Sequence, residues 1–274
     1  MFTLTVPVTS ANLDAIKGEL ARTLPEVKSS HRCEALGRGL RFGTYAALRA
    51  AMRSPDAVIA TACGAAFITY LAEHGFAVPA LAFYRAVARV AIRAVLEKVP
   101  KLTMWGIGVG DRRRTPDGRW ETWQDLQVRF RAEREALLGD DAVKSFLLSL
   151  AFLARVERTK TIRKGTGSYR LKHIAENYPC TYPEGDKLGP RYVANGVLIA
   201  AAVHAGFNIK SHVDDYGRDS VNVNFNMSKP LLDDLDCEIR PDGGRAQERR
   251  RREEIQKDKA HWRAVARRPF PLPP

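Results

Sequence analysis

The chain is poor in the residues that would make it a disulfide scaffold, a zinc protein or a membrane span. Its 274 residues include four cysteines, Cys33, Cys63, Cys180 and Cys237, set far apart with no CxxC pair and no paired histidines at ligand spacing. That pattern argues against both a structural zinc site and a disulfide framework, and it fits a reducing cytoplasm. No apolar run reaches the ~20 residues that a spanning helix needs; the longest, AVIATACGAAFITYLA before Glu73, stops short. The opening MFTLTVPVTS has neither the basic nor the apolar region of a signal peptide, so the expectation is a cytoplasmic chain with no membrane partner. Catalytic signatures are missing too. There is no GxSxG, and GIGVG lacks both the GxGxxG spacing and the Lys-Ser/Thr ending of a phosphate loop. The carboxylate pairs Asp140/Asp141, Asp214/Asp215 and Asp233/Asp234 are adjacent residues that read as turns or helix starts, not as metal ligands. No cofactor and no metal are implied.

What is abundant is positive charge. Lys and Arg number 44 against 31 Asp and Glu, a net charge of +13, and the sequence pI is near 9.8. Such a field attracts polyanions, with nucleic acid, DNA or RNA, as the expected partner. Eleven basic residues against five acidic ones fall after residue 239, so nearly half the excess belongs to a C-terminal arm.

Periodicity predicts a mainly α fold of the α+β kind. Residues 1–100 read as a helical domain, 101–125 as a Gly- and Trp-rich hairpin or linker, 126–236 as a second helical domain with a small antiparallel β-hairpin, and 237–274 as a basic arm, helical or disordered. Leu13, Ile16, Leu20 and Leu24 share one face of a first helix, and Ser29 or Ser30 caps a second that the glycines at 37, 39 and 43 are expected to break. Thr44 begins a third, giving a helix-turn-helix-like hairpin in which Thr44, Tyr45 and Arg49 are the candidates to read DNA. Arg85, Arg89 and Arg93 stand four apart and read as a solvated helix surface. The segment RYVANGVLIAAAVHAG, with Pro190 in its first turn and Gly206 as its cap, is apolar all round and reads as a core helix in which Asn195 is a hydrogen-bonded buried amide. Val221, Val223, Phe225 and Met227 alternate with polar residues as one strand of the hairpin, and the segment from Asp215 to Asp219 is its turn.

The strongest candidate site is RTKTIRKGTGSYRLKHIAENY, residues 158–178. Arg158, Lys160, Arg163 and Lys164 form a flexible cationic loop before a helix N-terminus, a reasonable place to hold a phosphate. On that helix Leu171, Ile174, Ala175 and Tyr178 face the core, while Tyr169, Lys172, His173 and Glu176 face a ligand. In the arm, Arg249, Arg250, Arg251 and Arg252 supply phosphate contacts and Trp262, with His261, supplies stacking.

The segments KSSHRCEALGRGLRFGTYAALRAAM, KTIRKGTGSYRLKHIAE and YVANGVLIAAAVHAGF resemble an uncharacterised protein group carried by proteobacterial plasmids and integrative elements. The resemblance spans residues 1 to about 236 and implies a mobile-element setting but no activity or site residue. The function expected is non-catalytic nucleic-acid binding as an accessory protein of such an element. One rival is a metal-independent nuclease with His173 as general acid or base and Tyr169 or Lys172 steadying the phosphorane. The other is an adaptor or inhibitor whose basic face meets a host protein or ribonucleoprotein complex.

Overall fold

The computed structural model describes residues 2–54, 56–213, 217 and 219–266, and these form a mainly helical structure with three small antiparallel sheets. Strand β1 (Thr5–Pro7) leads into α1 (Ser10–Thr23), where the Thr9 hydroxyl accepts from the Asn12 N–H and Leu13, Ile16 and Leu20 are buried. Next come α2 (Ser29–Gly39), α3 (Tyr45–Ala51) and β2 (Ile59–Thr61), which pairs with β1. Gly37 does not break α2, contrary to the sequence expectation, whereas Gly39 is its last residue and Gly43 lies between it and α3. A Cβ on Gly37 would stand 2.8 Å from the Tyr45 nitrogen, and one on Gly39 would stand 2.7 Å from the Phe83 ring. Both glycines serve close packing.

Helices α4 (Gly64–Glu73) and α5 (Ala80–Lys98) follow, with Phe67 and Phe83 stacked at 4.8 Å. The arginine stripe of α5 is only partly the solvated surface its spacing suggests. Arg89 pairs with Glu19 of α1 and donates to Asp140 at 2.7 Å and to the Leu138 carbonyl at 2.9 Å, and Arg85 stands 3.4 Å from Asp140. Only Arg93 is exposed. The stripe therefore ties α5 to its neighbours on both sides.

Residues 101–125 begin with a buried hairpin, β3 (Leu102–Thr103) and β4 (Gly106–Ile107), so the linker alternative does not hold there. An antiparallel bridge from Arg114 to Trp120 extends the chain to α6 (Trp123–Glu135), where Thr122 and Asp125 form a capping box. A 3-10 turn (Ala136–Leu138) leads to α7 (Asp140–Leu153), buried along most of its length; α8 (Ser168–Ala175) and α9 (Asn195–His204) follow.

Every residue of α9 from Asn195 to Val203 is buried, as a helix apolar on all sides requires. It starts later than expected. Pro190 lies five residues ahead of it, because Ala194 is extended and Asn195 opens the helix while donating to the Trp105 and Val221 carbonyls. At the other end Gly206 takes φ +85°, and the Gly206 and Phe207 N–H groups donate back to Val203 and Ala202, a glycine-terminated cap. Strands β5 (Ile209–Val213) and β6 (Asp219–Phe225) form the expected hairpin, with Val223 and Phe225 inward, as is Met227 just beyond. Asp214, Asp215 and most of the turn lie outside the described residues. Helices α10 (Lys229–Ile239) and α11 (Gly244–Ala266) complete the described residues, so Asp233 and Asp234 sit inside a helix and not at its start. The buried apolar side chains from Phe2 to Leu235 form one connected cluster, and α5 packs against α1 and α4 as well as α7 and α9. Among the described residues no helix is long and apolar enough to cross a membrane.

Candidate functional site

The cationic segment ahead of α8 is fastened to the sheet. The Ser228 N–H donates to Glu157 at 3.0 Å, Thr159 to Asn226 at 2.8 Å, Arg163 to Phe225 at 3.3 Å and Phe225 to Thr166 at 3.3 Å. The Thr166 hydroxyl adds a bond to the Phe225 carbonyl at 2.7 Å, and the Val223 N–H donates to the Ser168 hydroxyl. Residues 157–168 thus line the edge of β6 that β5 leaves open. The flexibility expected of the two glycines is restricted, because Arg163 ahead of them and Thr166 between them are bonded to Phe225. Arg158, Lys160, Arg163 and Lys164 are exposed, and among the described residues none pairs with a carboxylate. Arg158 stacks its guanidinium on Phe207 at 5.6 Å. Four cations on a pinned backbone keep their charge available to an outside anion.

The polar face of α8 is less open than its helical pattern suggests. Leu171, Ile174 and Ala175 are buried as expected, but so is Lys172, 6% exposed. Its ammonium lies 3.5 Å from Glu176, 5.5 Å from the centre of the Tyr169 ring and 4.9 Å from that of Tyr192. A lysine so enclosed does not reach a phosphate; its aliphatic stem fills the gap that the chain leaves when it returns over α8 at Tyr192. His173 is half-buried, its Nδ1 is 2.5 Å from the other Glu176 oxygen, and the Tyr169 ring stands edge-on to it at 4.7 Å. Neither of the other histidines near this half of the chain joins it: His212 bonds Asn224, and His204 receives the Thr5 N–H. Tyr192 and Arg170 carry parts of this region that the sequence did not reveal. Arg170 is engaged by Asp233 at 2.9 Å and Asp236 at 2.8 Å.

In the arm, α11 buries Ala246 and otherwise leans on charge. Arg245 reaches Asp233 at 2.6 Å and Asp236 at 3.7 Å, and Arg249 pairs with Asp234. Burial works against ionised Asp233, but hydrogen bonds from Lys229 and Arg170 hold its pKa below the usual carboxylate value. The four consecutive arginines are divided by helix geometry. Arg249 is taken by Asp234, Arg252 by Glu248 at 2.8 Å and Arg250 by the Pro241 carbonyl at 3.0 Å, leaving Arg251 without a partner among the described residues. Trp262 is 67% exposed, with His261 edge-on beside it.

Helix α3, the candidate reader of DNA, has only seven residues. The Thr44 hydroxyl accepts the Ala47 N–H, Tyr45 is half-buried with its N–H on Glu34, and the exposed face consists of Ala46, Ala47, Arg49 and Ala50. Arg49 is therefore the one polar side chain that α3 shows to solvent.

His204 sits apart, in a cleft of about 540 Å3 lined also by Thr5, Leu150 and Phe207, with Arg158 at its rim. Burial lowers its pKa from 6.5 to about 4. The unfolded chain takes up the proton near pH 6.5 and the folded one only near pH 4, so stability falls as pH drops through that window. The expected loss is roughly 3 kcal/mol, and His204→Gln removes this component. Thermal melts of both proteins across the range check it: curves that stay parallel would show that His204 ionises freely in the fold.

Among the described residues no cluster of histidine, cysteine and acidic side chains is placed to hold a metal ion. No protein-family model matches the chain, and no curated protein or solved structure is significantly similar to it.

Proposed function

We propose that the chain binds nucleic acid without cutting it, gripping phosphates through the loop that borders β6, with α11 as a second, looser contact. The observation that carries this reading is the set of four exposed cations, Arg158, Lys160, Arg163 and Lys164, that have no acidic partner among the described residues and stand on a segment bonded to the sheet. Other arginines, Arg89, Arg129, Arg155 and Arg170 among them, are engaged by Asp or Glu; among the described residues these four cations are not. Binding releases condensed counterions, so affinity falls steeply with salt. The mobile-element setting implied by the sequence resemblance suits an accessory protein of this kind.

One observation favours a second reading, a nuclease. His173 is steadied by Glu176 on one ring nitrogen, an arrangement that prepares the other to move a proton. Against it, Lys172 is enclosed, and among the described residues no second acid or base hydrogen-bonds to His173.

Titrating labelled duplex DNA, single-stranded DNA and RNA at two salt concentrations, with cleavage followed in the same tubes without metal, separates these readings. Binding without cleavage is expected. His173→Ala should change affinity by about two-fold or less, since His173 is already engaged by Glu176 and the phosphate contacts come from the loop cations. Cleavage lost in His173→Ala at unchanged affinity would make the protein a nuclease. Binding that appears only when a protein or ribonucleoprotein partner is supplied would make it an adaptor. Deleting residues 244–274 should weaken binding to all three nucleic acids alike and flatten the salt dependence, because flexible arginines read phosphate and not sequence. An unchanged salt slope would remove the arm from the interface.

A further inference from the structure

Two exposed tyrosines stand at the end of the cationic loop, and the structure fixes both. Tyr169 follows the loop directly in the first turn of α8 and is 57% exposed; Tyr192 comes from the chain that returns over α8 and is 58% exposed. The Lys172 ammonium lies over both rings, 5.5 Å from one centre and 4.9 Å from the other, and is itself held by Glu176. The backbone beside Tyr192 is pinned on two sides: its carbonyl accepts from the Ser145 hydroxyl at 2.8 Å, and the Arg191 N–H donates to the Glu176 carbonyl. Tyr169 is braced by the edge of His173. One buried cation thus props two aromatic rings that remain more than half open to solvent.

We propose that these rings and the loop form a platform for single-stranded nucleic acid, with bases stacked on Tyr169 and Tyr192 while Arg158, Lys160, Arg163 and Lys164 hold the adjoining phosphates. The inference rests on the nucleic-acid reading above and adds to it the strandedness of the ligand and a role for Tyr192. Its logic is that of complementary surfaces. A duplex turns its base faces inward and offers only phosphates and groove edges, whereas a single strand offers phosphates and free base faces together. Lys172 and Glu176 neutralise one another, so the platform contributes flat apolar area and the loop contributes the charge. Rings already held by a buried lysine lose little freedom on stacking.

The test uses three probes in low salt: a labelled single strand of mixed sequence, the same strand annealed to its complement, and a backbone of equal length without bases. The full chain should bind the single strand at least roughly ten-fold more tightly than either other probe. Tyr169→Leu and Tyr192→Leu should each weaken single-strand binding roughly ten-fold and leave the duplex and base-free probes unchanged. Tyr169→Phe and Tyr192→Phe should retain single-strand affinity, because stacking needs the ring and not the hydroxyl. Equal or tighter binding of the duplex overturns the proposal, as does a loss in the Phe variants or an equal loss on all three probes. Failure of every probe to bind overturns the nucleic-acid reading itself, a distinguishable result. Melting curves that match the parent confirm that the exposed substitutions leave the fold intact.

Discussion

Val197→Asp is expected to leave no stably folded protein, whereas Val128→Asp, at a site 66% exposed on α6, is expected to melt like the parent. Val197 is 1% exposed in a helix with no solvent face. A carboxylate there has no cation to pair with and no water, which costs several kcal/mol against a total stability of about 5–15 kcal/mol. Gly196→Ala should act in the same direction without adding charge, since its Cβ would fall 1.8 Å from the Thr103 carbonyl oxygen and force β3 away from the start of α9. Soluble yield and thermal unfolding followed by circular dichroism measure both. Recovery of Val197→Asp with the parent's melting temperature would show that α9 has an exposed face, and the buried-helix account would then be wrong.

The second large effect is on binding. Replacing Arg158, Lys160, Arg163 and Lys164 together by alanine should lower affinity for nucleic acid by roughly a hundred-fold or more at low salt. The slope of log affinity against log salt should shrink by roughly three, because each neutralised phosphate of a single strand contributes about 0.7. The fold should tolerate this, since the segment is held chiefly by its backbone and by Thr166, and the Arg158 stack on Phe207 is the packing contact given up. By contrast, replacing Arg250 and Arg251 of α11 should cost only a few-fold, as exposed charges on the arm are screened by salt. An unchanged salt slope in the four-residue variant would place the interface elsewhere.

The apolar periodicity of α1 and α8 specified which faces are buried, the unbroken apolar run of α9 specified a helix buried on all sides, and the alternation through β6 specified a strand. These are local patterns, set by the 3.6- and 2-residue repeats of the backbone, and they survive into the structure because burying the apolar face is the dominant favourable term. The same reasoning placed Lys172 on an open face, which failed because its surroundings come from Tyr192, twenty residues on. It also read Arg89 as surface, although Glu19 and Asp140, brought in from α1 and α7, enclose it. In the arm the run of four arginines was plain to see, but which of them is occupied depends on Asp234 of α10 and Glu248 of α11.

By itself, then, the sequence determined the helical class, the burial of α9, the hairpin that carries Phe225 and the excess of positive charge, since each follows from residue type and spacing along a short stretch. Only the tertiary structure decided that Arg158, Lys160, Arg163 and Lys164 stand along β6 without acidic partners among the described residues, that His173 leans on Glu176, and that Tyr169 and Tyr192 share one ammonium. Ion pairs and ring contacts depend on which segments meet after the chain has collapsed, and spacing along the chain carries no record of that meeting.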